Sequence, residues 1–168
     1  MTNYPDRVLA VYPTRTGFGW VLLEGQDSPI DWGVASVSRD RNAGCLARID
    51  ALIDEYRPTS LVLEEFDGTA SRRAPRIQNL STDILNLAHA KYVETHVHAR
   101  ADIKAVFEEA GAKTRYQIAR AIALRLQEFA HLLPPRRKIW LPEDPRMGLF
   151  SAAAVALTHY ALGDRNSS

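Results

Sequence analysis

Residues 7–37 read RVLAVYPTRTGFGWVLLEGQDSPIDWGVASV, and the fold class is decided here. RVLAV is a short, mostly apolar run bounded by the turn formers Pro13 to Gly17, the pattern of a buried central strand. Residues 18–24 (FGWVLLE) and 30–37 (IDWGVASV) flank a loop at 25–29 that is rich in turn formers. Three such segments in succession predict an antiparallel meander.

Beyond the meander the hydrophobic period changes. Leu46, Ile49, Leu52, Ile53 and Tyr56 recur at three- and four-residue spacing, which predicts an amphipathic helix closed by Pro58. Leu61-Val62-Leu63 predicts a short strand that runs into Glu64-Glu65-Phe66-Asp67-Gly68. A helix follows with Ile77, Leu80, Ile84, Leu87 and Ala88 on its buried face, then a strand over 94–99. Residues 101–110 predict a short helix stopped by Gly111. Residues 114–132 predict a longer one, striped by Ile118, Ile122, Leu126 and Phe129. Residues 134–147 form a Pro/Arg-rich connector, and the small, greasy run LFSAAAVALTHYAL at 149–162 predicts a last helix before a frayed polar tail at 163–168. Three antiparallel strands followed by alternating helices and strands make an α/β protein with a mixed sheet flanked by helices.

The 168 residues suit a single domain spanning 1–168, and a 46% hydrophobic share is globular rather than disordered. A core of that size needs neither disulfide nor structural metal, so Cys45, the one cysteine, reads as a small helix residue in a reduced compartment. No segment resembles a signal peptide or a membrane span, which predicts a cytoplasmic protein without membrane partners. A formal charge of +1 excludes strong global attraction to nucleic acid, so any such binding must come from local clusters.

Four passages resemble the RuvC Holliday-junction resolvases, a family with the ribonuclease H-like fold. Residues 8–21 (VLAVYPTRTGFGWV) resemble its opening strand, turn and Gly-aromatic-Gly second strand. Leu61-Val-Leu-Glu64 resembles its apolar strand ending in a catalytic glutamate. Residues 100–104 with 111–119 are similar to its run into a DNA-facing lysine and a long helix, and 151–160 to its terminal helix. The resemblance implies DNA recombination at branched junctions, a homodimer, and metal-assisted phosphodiester hydrolysis with Mg2+ or Mn2+.

The acidic set that such chemistry needs is depleted. Hard cations require anionic oxygen, and magnesium is usually anchored by a few carboxylates. The family's opening-strand aspartate falls on Tyr12, and its two terminal-helix aspartates fall on Gly148 and Ser151. Only Glu64 is retained. Glu65 should point to the opposite sheet face and Asp67 lies past the strand. Glu143 and Asp144, just before the last helix, read either as substitute ligands or as charges that suit a helix N-terminus. Glu64 with Asp144 is the candidate catalytic pair of a rebuilt site, with Glu64 as the candidate metal ligand; otherwise no cofactor is expected. His96 and His98 share a strand face, while His89, His131 and His159 are isolated on helices.

Basic residues cluster in three places. Arg72, Arg73 and Arg76 precede a helix whose N-terminal amides also favour phosphate. Arg136, Arg137 and Lys138 adjoin Trp140, an aromatic that either stacks on bases or pins the connector to the core. Lys104, Lys113 and Arg115 lie where the resemblance puts bound DNA. Three functions compete: a non-catalytic or weakly active RuvC-like binder (a pseudonuclease) of structured or branched nucleic acid, DNA before RNA; a metal-dependent endodeoxyribonuclease; and a protein-interaction module on the same fold.

Overall fold

The opening apolar run forms strand β1 (Val8–Pro13), with all six residues buried. The computed structural model describes residues 6–65 and 75–166. β2 (Gly17–Leu23) and β3 (Pro29–Ser36) complete the antiparallel meander, with Tyr12 opposite Gly19 and Gly19 opposite Val34. Helix α1 (Arg41–Tyr56) ends at Arg57, whose left-handed backbone precedes Pro58. β4 (Ser60–Glu64) pairs parallel with β1, and β5 (Glu94–His98) pairs parallel with β4 after helix α2 (Pro75–Ala90). The sheet is mixed, in the order β3-β2-β1-β4-β5.

Strand alternation divides the core into two layers. Val8, Ala10, Tyr12 and Val62 face one side, and Leu9, Val11, Leu61 and Leu63 face the other, under α1 and α2. The first side is covered by α3 (Arg100–Glu108), α4 (Arg115–Arg125) and the greasy α5 (Met147–Asn166), which lies across β1 and β2. No helix among the described residues is long and apolar enough to cross a membrane.

Two boundaries differ from the sequence reading. The helix expected over 114–132 breaks at Leu126, which is extended (φ −109°, ψ 93°), and continues as a 3-10 helix, Gln127–Leu132. No glycine or proline causes the break. It lets Leu126 and Phe129 both bury, with the Phe129 ring edge-on to Trp32 at 4.9 Å, so packing overrides helical period. The terminal helix also runs through Gly163, where fraying was expected, to Asn166. Gly111, by contrast, ends its segment as expected, with φ +80°.

Candidate nucleic-acid interface

Tyr12 reaches the α5 side of the sheet because it shares the parity of Val8 and Ala10, and Glu64 does so because it shares that of Val62. They meet in a cavity of about 70 Å³ whose lining also includes Arg100, Lys104, Lys113, Arg115 and Ser151. The structure therefore brings together the opening-strand, strand-end and terminal-helix positions that the sequence pointed to. Tyr12 fills the first of them as a buried ring.

Arg115 dominates this cavity. Its position follows from a capping box: the Thr114 hydroxyl accepts from the Gln117 amide at 3.1 Å, and the Gln117 carbonyl oxygen accepts from the Thr114 amide at 3.2 Å. Arg115 is thus the first residue of α4, where the helix dipole disfavours a cation. Other contacts compensate. Arg115 donates to Ser151 Oγ at 2.9 Å, pairs with Glu143 at 2.8 Å, and holds its guanidinium 5.5 Å from the centre of the Tyr12 ring. The Thr114-x-x-Gln117 spacing was the signal in the sequence that locates this arginine.

These residues do not fit a pair of divalent cations. One carboxylate, Glu64, lines the cavity beside four cationic side chains, and among the described residues no group of three or more His, Cys, Asp or Glu is arranged to hold a metal. Gly148 has a packing reason of its own. A Cβ on Gly19 would lie 2.2 Å from the Gly148 carbonyl carbon, and one on Gly148 would lie 2.9 Å from Thr14 Cγ2, so the start of α5 rests directly on β2. Asp144 lines a different cavity from Glu64 and is held by Arg146, which donates from its backbone at 2.9 Å and its side chain at 2.7 and 3.0 Å. The Arg146 bonds keep its carboxyl below the usual range. Glu65 is exposed and borders a crevice against Gln78, Ser81 and Thr82 of α2.

The basic residues divide by role. A groove of about 560 Å³ joins Arg115 to Arg120, Arg136 and Arg137, with Glu143 and Asp144 on its wall. Arg76 does not reach into open solvent as a loop cation. It stands in α2 and donates to Asn42 Oδ1 at 2.9 Å and to the carbonyls of Thr14 and Arg15 at 3.1 and 3.2 Å. Arg72, Arg73 and Asp67 lie outside the described residues. Trp140 is 76% exposed with Lys138 Nζ 5.6 Å from its ring, so it does not pin the connector. Arg15, Arg41, Arg100 and Arg120 were not among the predicted binding residues, since none belongs to the three basic clusters read from the sequence.

His159 is not isolated. Its Nδ1 lies 2.9 Å from His98 Nε2, and the His96 ring centre is 4.6 Å from its own. The sequence separation of sixty-odd residues concealed this. Burial, then the neighbouring imidazoles, pushes His159 down to about 4, and burial with His96 lowers His98.

No family model matches the sequence, and no curated protein matches it. Solved structures do. The chain superposes on Thermus thermophilus RuvC with TM-score 0.71 at 17% identity, covering 95% of this chain and 96% of that one. T. thermophilus RuvC in complex with a Holliday junction substrate gives 0.69 at 18% identity, covering 97% and 98%. The yeast mitochondrial Holliday junction resolvase Ydc2 gives 0.62 at 14%, covering 95% and 81%. With the strand order and the two-sided helix cover, these likenesses show that the chain has the RuvC-like form of the ribonuclease H-like α/β fold.

Proposed function

We propose that this chain binds branched DNA across the Arg115 groove and does not hydrolyse it by metal chemistry. The observation that carries the reading is the Arg115 guanidinium, bonded to Ser151 Oγ above the Tyr12 ring, among the positions where the resemblance puts metal ligands. A guanidinium there supplies fixed positive charge and directional donors for a phosphate, and it repels a divalent ion. Lys104 and Lys113 line the same cavity, Arg136 and Arg137 the adjoining groove, and exposed Trp140 offers a stacking face. RuvC of T. thermophilus, which shares the fold, has been solved on a Holliday junction. We extend the reading to a single domain acting as a cytoplasmic homodimer, on DNA before RNA.

The test is incubation with a labelled four-way DNA junction plus Mg2+ or Mn2+, with a Glu64→Gln variant alongside. Salt-sensitive retention of intact junction is expected from both proteins. Cleavage by the natural chain that disappears in Glu64→Gln overturns the non-catalytic reading, and absence of retention overturns the DNA reading.

A further inference from the structure

The turn between β1 and β2, the start of α1 and the start of α2 border another cavity, of about 400 Å³, that Tyr12 also lines. Its lining includes Arg15, Arg41, Arg76 and Arg115 and a single carboxylate, Glu143, which is already paired with Arg115. Two of the arginines are fixed in place by uncharged acceptors. Arg41 donates from Nε to the Val37 carbonyl at 2.8 Å and from Nη1 to the Arg15 carbonyl at 3.1 Å. Arg76 is anchored on Asn42 Oδ1 and on the Thr14 and Arg15 carbonyls. Among the described residues neither guanidinium meets a carboxylate.

Carbonyls at a turn need donors, and asparagine or glutamine would supply them without charge. Four guanidinium groups around one cavity repel each other, and a bound anion lowers that cost. Arg41 and Arg76, both half-buried, are held in advance beside the cavity by these bonds, and their remaining N–H groups together with the charge of Arg15 suit an anionic oxygen ligand such as phosphate. We infer that this cavity, which adjoins the Tyr12–Glu64 cavity and shares Tyr12 and Arg115 with it, is a phosphate-binding site that takes one phosphate group of a bound DNA strand through Arg15, Arg41 and Arg76. The inference rests on the DNA-binding reading for the source of the phosphate, and on the cavity alone for its chemistry.

The experiment uses the full chain and two variants. Arg15→Gln removes an exposed charge, and Arg41→Gln keeps an amide donor for the turn. Junction binding is measured as a function of salt. Melting temperature is measured in inorganic phosphate against chloride of equal ionic strength. Each variant should bind the junction about tenfold more weakly, with the slope of log affinity against log salt lowered by about 1. Phosphate should raise the melting temperature of the natural chain and raise that of Arg41→Gln less. Natural affinity and slope in both variants, with equal phosphate shifts, overturn the site while leaving the DNA reading intact. A chain that ignores junctions yet gains stability from phosphate only when Arg41 is present keeps the site, assigns it to free phosphate, and removes the DNA reading.

Discussion

Glu143 is one of two carboxylates on the wall of the groove, and replacing it isolates the electrostatics of the proposed interface. Its ion pair with Arg115 is 2.8 Å long, with side-chain exposures of 40% and 35%, so in water it stabilises the fold by under about 1 kcal/mol. Glu143→Gln should therefore leave melting nearly unchanged. For DNA the balance differs. A phosphate seated on Arg115 would lie ~6 Å from the carboxylate. At an effective dielectric of ~40–80 the repulsion is roughly 1 kcal/mol, and screening by salt reduces it to about half. Glu143→Gln should bind a labelled four-way junction roughly 2- to 5-fold more tightly by fluorescence anisotropy, the gain shrinking as salt rises. Arg115→Gln should do the opposite, by about tenfold. Unchanged or weaker binding in Glu143→Gln would refute the placement of a phosphate on Arg115.

Other perturbations test the framework. His159 is held near 4 against an ordinary 6.5, so the unfolded chain binds more protons between those values; stability is complete above about pH 7 and lost as pH falls toward 4. After discounting for partial exposure the loss is about 1–2 kcal/mol, and urea midpoints of His159→Gln should depend less on pH over that range. Gly19→Ala would drive a methyl into the Gly148 backbone and should cost about 3 kcal/mol in chemical denaturation, whereas Gly25→Ala, with open space around it, carries only its backbone strain (φ +102°). Trp140→Ala should keep the melting temperature and weaken binding to unpaired bases by about 1–3 kcal/mol; equal affinity would remove the stacking role. Phe129→Ala, fully buried against Trp32, should lose about 3–5 kcal/mol by thermal or urea unfolding.

The meander, the helix over α1, the strand ending in Glu64 and the greasy last helix were legible because each is a local pattern. Period 2, period 3.6, turn formers and prolines act between residues a few positions apart. That Tyr12, Gly148 and Ser151 carry no carboxylate was also a matter of residue identity, whereas the exposure of Trp140 in the connector was left open by the sequence. The break at Leu126 could not be read, since nothing in 114–132 interrupts a helix; burial of Phe129 against Trp32 is decided by a partner nearly a hundred residues away.

The same division holds at the site. The sequence by itself determined the order of elements and the residue types that stand at 12, 64, 148 and 151. Tertiary structure alone decided that Arg115 stands over Tyr12, that Arg41 and Arg76 converge on one turn, and that His159 completes a cluster with His96 and His98. The physical reason is range. Backbone preference and hydrophobic period are local, whereas charge, like hydrogen bonding, acts through space between side chains that meet only once the sheet has brought distant segments side by side.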